Sequence, residues 1–96
     1  MTVHRTAEIG IDIAEPYQGQ GYGTEAIRWA IEWAFREANL HRLEIQALGW
    51  NDGALKLYQR LGFKLEGIQR ERFWRDGRWW DNSQLAMLEK DWRELK

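Results

Sequence analysis

Apolar and polar side chains alternate over residues 7–14, with Ile9, Ile11 and Ile13 on one side and Glu8, Gly10 and Asp12 on the other. This period of two predicts a strand with one buried face. Pro16, which has no N–H to give a ladder, ends it, and residues 18–23 form a glycine-rich turn. From Thr24 the period becomes helical: Ile27, Ala30, Ile31, Ala34 and Ala38 recur on one stripe that Trp33 and Phe35 widen. Glu25 suits the positive end of the helix dipole and Asn39 a helix stop, so the spacing predicts a helix over about residues 24–38.

Leu43, Ile45 and Ala47 alternate with Glu44 and Gln46 in a second strand that ends near Gly49. Asn51 or Asp52 then caps a short helix whose Ala54, Leu57, Tyr58 and Leu61 share a face, and Gly62 stands where a left-handed terminator belongs. Residues 63–75 and 78–89 are extended and rich in aromatics, and Asp76-Gly77 between them is a strong hairpin signal. Gly67 suggests a bulge, and the charged tail over residues 90–96 suggests a single helical turn around Trp92. The order β-α-β-α-β-β predicts an α/β (α+β) fold with a mixed sheet of about four strands and two helices. Right-handed crossovers make the first two strands parallel and put both helices on one face.

Ninety-six residues suffice for one small domain. A net charge of −1 offers no electrostatic attraction to nucleic acid or to an anionic membrane. The hairpin does mix basic and stacking side chains, as a single-strand binder would, but Glu71, Asp76 and Asp81 dilute its charge. No cysteine is available for a disulfide or thiolate chemistry, and His4 and His41 lack paired spacing, so no metal site is expected. With no apolar leader or membrane-length run, the expected location is the cytoplasm. Seven tryptophans exceed what so small an interior hides, which predicts that some lie at an interface.

The candidate chemistry begins at the turn. A strand that enters a glycine-rich turn and then a helix suits phosphate, because converging backbone N–H groups meet the positive end of the helix. Here the turn reads Gln18-x-x-Gly21-x-Gly23, with neither the Lys-Ser/Thr of a P-loop nor the glycine spacing of a dinucleotide fingerprint. Downstream, Asn51 precedes a helix bearing Tyr58, followed by Leu61-Gly62-Phe63. With these two motifs, residues 7–89 resemble the GNAT superfamily of N-acetyltransferases, in the branch that holds ribosomal-protein and spermidine acetyltransferases. The resemblance implies acetyl-CoA as acetyl donor and an amine as acceptor. It implies that Gln18, Gly21 and Gly23, with the amides of Gly19, Gln20, Gly21, Tyr22, Gly23 and Thr24, hold the pyrophosphate. Ile13, Ala14 and Glu15 would offer a backbone edge to pantetheine, Asn51 would lie beside it, and Tyr58 would protonate the departing thiolate. Family members normally carry several strands and two helices before the first strand, so residues 1–96 are expected to form a single domain equivalent to the C-terminal half of that fold.

The implied reaction is direct attack of an amine on the thioester, with a backbone N–H near residues 13–15 as oxyanion donor. Glu8, Asp12 and Glu44 project away from the helices as an acidic stripe that attracts a cationic amine, and Glu8 is the candidate base. Simpler readings stand beside these: a solvated strand face for the acids, a packed aromatic for Tyr58, a helix cap for Asn51. The alternative for the whole chain is a CoA-binding or structural remnant without catalysis. A bare first strand and surplus tryptophans point to a homodimer.

Overall fold

The computed structural model describes residues 4–9 and 22–95. Strand β1 (Thr6–Glu8) runs parallel to β2 (Arg42–Leu48), in a register that pairs Thr6 with Arg42 and Glu8 with Glu44. The Ile9 N–H carries the ladder one step further, donating to the Glu44 carbonyl at 2.8 Å. Beyond that, the strand expected to residue 14 lies outside the described residues, with Ile13, Ala14, Glu15, Gln18, Gly19, Gln20 and Gly21. Strands β3 (Lys64–Arg75) and β4 (Arg78–Leu88) form an antiparallel hairpin, and β4 inserts beside β2 to give the order β1-β2-β4-β3.

Alternation in β2 follows the sequence pattern: Leu43, Ile45 and Ala47 are buried, while Arg42, Glu44 and Gln46 between them are half-buried. The buried set joins Leu85 and Met87 of β4 in one cluster with Ile27 and Ile31 of α1 (Tyr22–Glu32) and Tyr58 of α2 (Ala54–Leu61). Ala7 and Ile9 pack against the same cluster. Both helices therefore cover one face of the sheet.

The first helix does not continue as a regular α-helix to residue 38. Over Trp33–Glu37 it widens to a π-helical turn, closed by the Ala38 N–H on the Trp33 carbonyl at 2.9 Å. The extra residue turns both Ala34 and Phe35 inward while Trp33 stays outside. Asn39, at φ 54°, then ends the helix in the left-handed region that asparagine tolerates. The tail forms a third helix, α3 (Glu89–Glu94), where two were counted from the sequence. Trp92 on it is buried, stacks on Phe35 at 5.5 Å and donates its indole N–H to Glu32 at 2.7 Å, which ties the tail to α1.

At the start of α2 the cap is Gly53, at φ 81°, and neither Asn51 nor Asp52. Asn51 contributes its backbone carbonyl to the Ala54 N–H at 3.1 Å instead. The other end matches the expectation: Gly62 has φ 111°, and a Cβ there would lie 2.8 Å from Leu95 Cδ1. In the hairpin, Asp76 and Gly77 both have positive φ, the type I′ turn that suits twisted strands. The register slips at Gly67 and again between Gln69 and Phe73, where Glu71 adopts φ 50° and its N–H donates to Asp81 Oδ1 at 2.9 Å. Among the described residues no helix is long and apolar enough to cross a membrane.

Candidate active site

Two of the residues singled out for chemistry fall on the segment that leaves the C-terminal end of β2. Asn51 sits in the connecting turn, where its N–H donates to the Leu48 carbonyl at 2.9 Å. Its side chain is buried, and Oδ1 has no hydrogen-bond partner among the described residues. An unpaired buried carbonyl costs about 1–3 kcal/mol and is unusual in a structural role. Tyr58, on the following helix, is 6% exposed and packs edge-on against Phe63 at 6.3 Å. Burial pushes its phenol above the ordinary tyrosine value, and at neutral pH the hydroxyl, protonated with or without that shift, has a proton to give. Tyr22, Gly23 and Thr24 open α1, whose first amides have no partner within the helix.

The opposite sheet face is polar but is not the acidic stripe expected from Glu8, Asp12 and Glu44. Arg42 lies between the acids: its Nε donates to Glu44 at 2.8 Å, and its two terminal nitrogens form a fork on Glu66, one at 2.9 Å to Oε2 and the other on Oε1. These bonds, with that to Glu66 the stronger, raise the guanidinium further above its already high ordinary value, and Arg42 in turn holds the Glu66 carboxyl below the usual carboxylate range. Glu44 is therefore engaged by a cation. Glu8 projects onto this face as expected, where Gln46 Nε2 donates to its Oε2 at 3.0 Å. Asp12 lies outside the described residues. A cavity of about 270 Å³ opens here, lined by Glu8, Arg42, Glu44, Gln46, Glu66 and Gln84 among others.

Sequence reasoning missed Arg42, Gln46, Glu66 and Asn82. Arg42, Glu44 and Gln46 were legible as one strand face from their spacing of two, but Glu66 and Asn82 reach it only through a hairpin register that includes a bulge. Asn82 is 1% exposed on β4, and its Nδ2 donates to both Gln46 Oε1 at 2.7 Å and Gln69 Oε1 at 2.9 Å.

Parallel β1 and β2 with an antiparallel hairpin beside β2 and the helices on one face form a mixed α/β fold that known acetyltransferases share. The family model described as the acetyltransferase (GNAT) domain matches residues 1–64, and the chain belongs to this family. It is similar to the probable N-acetyltransferase YjcK of Bacillus subtilis, with 37% identity over 91% of this chain and 48% of that protein. It is also similar to the ribosomal protein uS5-alanine N-acetyltransferase of Escherichia coli, at 32% over 88% of this chain and 43% of that protein. Among solved structures, spermidine N-acetyltransferase from Vibrio cholerae in complex with CoA and spermine superposes with a TM-score of 0.81 and 33% identity. That match covers 95% of this chain and 54% of the other. The chain thus spans about half the length of the relatives it matches.

Proposed function

We propose that this chain binds acetyl-CoA and transfers its acetyl group to an amine, either a polyamine or an N-terminal or side-chain amine of a protein. The observation that carries the reading is the conjunction, on the segment after β2, of buried Asn51, whose Oδ1 has no partner among the described residues, with the buried phenol of Tyr58, protonated at neutral pH. Membership of the family supports it, as does a relative crystallised with CoA and spermine. Gln18, Gly21, Gly23 and the amides of residues 19–24 hold the pyrophosphate. Ile13, Ala14 and Glu15 present a backbone edge to pantetheine, and Asn51 binds beside it.

In the reaction the amine nitrogen attacks the acetyl carbon, and the oxyanion is met by a backbone N–H near residues 13–15. The carbon–sulfur bond then breaks, the thiolate takes the Tyr58 proton, and the amine proton passes to Glu8, directly or through water. A panel of polyamines and peptides with free N-termini, assayed by release of CoA thiol, tests this. Amine-dependent release is expected, and no release with any acceptor would leave the non-catalytic alternative.

We further infer a homodimer in the cytoplasm. Among the described residues β1 is an edge strand, and Trp29, Trp33, Trp74 and Trp79 are 67%, 47%, 61% and 51% exposed. A related spermidine N-acetyltransferase from Vibrio cholerae is dodecameric. Sedimentation at micromolar concentration should give a species larger than the 11.5 kDa chain, and a single species at that mass would reject the dimer.

A further inference from the structure

We propose that Asn82 is a positioning residue for the Glu8 carboxylate, acting through the side-chain amide of Gln46. The inference rests on the reading of Glu8 as the base. Glu8 is exposed, at the end of a strand on the sheet edge, and a glutamate there has several rotamers to choose among. Its Oε2 accepts from Gln46 Nε2 at 3.0 Å, Gln46 Oε1 accepts from Asn82 Nδ2 at 2.7 Å, and the same Nδ2 donates to Gln69 Oε1 at 2.9 Å. The line crosses all four strands, from β1 through β2 and β4 to β3.

Its direction is fixed by chemistry. A carboxylate only accepts, so Gln46 must turn its NH₂ toward Glu8 and its carbonyl toward Asn82. Asn82 must then present its NH₂ to Gln46, and the second hydrogen of that NH₂ goes to Gln69. With both donors used on one side, Asn82 Oδ1 is left buried and without a partner among the described residues. Shape alone gives no reason for an asparagine at a site that is 1% exposed, where an apolar side chain would bury no unpaired oxygen. What the asparagine provides is a rigid donor that sets the orientation of Gln46 and, through it, of Glu8.

The test uses the full chain in four forms: Glu8→Gln, Gln46→Met, Asn82→Asp and the Gln46→Met/Asn82→Asp double variant. An aspartate at 82 cannot donate when ionised, so Gln46 reverses and its carbonyl faces Glu8. The expected result is a fall in kcat of roughly 10-fold, with the KM for acetyl-CoA unchanged within about two-fold. Gln46→Met should fall by a similar factor, and the double variant should be no slower than the slower single, because one line is broken only once. Wild-type kcat in Asn82→Asp, or losses that multiply in the double variant, would overturn the proposal. Side-chain amide NMR reads the line without turnover: the Gln46 NH₂ resonances should move in Glu8→Gln and in Asn82→Asp. Should Asn82→Asp not fold, Gln46→Met and the Glu8→Gln spectrum still decide. Wild-type turnover in Glu8→Gln with shifted Gln46 resonances would reject Glu8 as base and leave the line intact. Unmoved Gln46 resonances would reject the line whatever the activity.

Discussion

On one face of the sheet, Leu43, Ile45, Leu85 and Met87 meet Ile27, Ile31 and Tyr58 in one apolar cluster. On the other, Glu8, Gln46, Asn82 and Gln69 are joined in one line of hydrogen bonds, and beside it Arg42 pairs with Glu44 and Glu66. The same strands build both, since successive residues point to opposite sides. Apolar contacts tolerate small shifts and supply most of the stability, whereas directional bonds between partly exposed groups add little net energy but fix where a carboxylate points. The difference teaches where to look for each property: the stability of the fold in the covered face, and the orientation of polar side chains in the open one.

That contrast breaks most visibly in the cluster. Leu85, 2% exposed, should cost about 2–5 kcal/mol on truncation in Leu85→Ala, from lost transfer energy and the cavity left behind. Denaturant unfolding measures it, and a cost below about 1 kcal/mol would mean that this face is not the stabilising one.

A smaller effect comes from acid. The Leu88 N–H bond at 2.9 Å, followed by Lys64 at 3.2 Å, holds Asp91 below its ordinary value, as Arg42 does Glu66. Groups whose folded pKa is depressed contribute stability that is complete above the unfolded carboxylate range, near pH 4, and lost as pH falls through the folded value. Stability should therefore decline below about pH 4–5, and Asp91→Asn should flatten part of that decline in unfolding curves taken across pH. An unchanged acid limb would remove Asp91 from this role.

Smallest is the change on the open face. Arg42→Met should lower stability by less than about 1 kcal/mol, because the Arg42 side chain is 28% exposed and its partners Glu44 and Glu66 are 36% and 45% exposed. A loss comparable to Leu85→Ala would erase the distinction between the faces.

Legibility in the sequence divides along similar lines. The hairpin turn at Asp76-Gly77 and the terminator Gly62 were readable because each depends on a positive φ that few residues adopt, and the bulge beside Gly67 because a glycine inside a strand often marks one. The alternation of β2 named its buried side chains correctly. The π-helical turn at Trp33–Glu37 was not readable, because it answers to the stacking of Phe35 on Trp92, which comes from the far end of the chain. Gly53 replaced Asn51 and Asp52 as the cap because a positive φ at that position excludes most side chains. On the open face the spacing of acids suggested a stripe, but Arg42 shares their face and pairs with Glu66 across strands that are distant in sequence. Of the candidate site, Asn51, Tyr58 and Glu8 were read from motif and period. The face that Gln46 shares was legible from the period of β2, but its link to Asn82 required the register.

The central claim is that the segment after β2 supplies the acid for a departing thiolate. Tyr58→Phe removes only the hydroxyl and leaves the ring that packs on Phe63. With saturating acetyl-CoA and the best amine from the panel, its kcat should fall by roughly 10- to 10⁴-fold, while calorimetric affinity for CoA stays near that of the wild type. Turnover at the wild-type rate would make Tyr58 a packing residue and contradict the account.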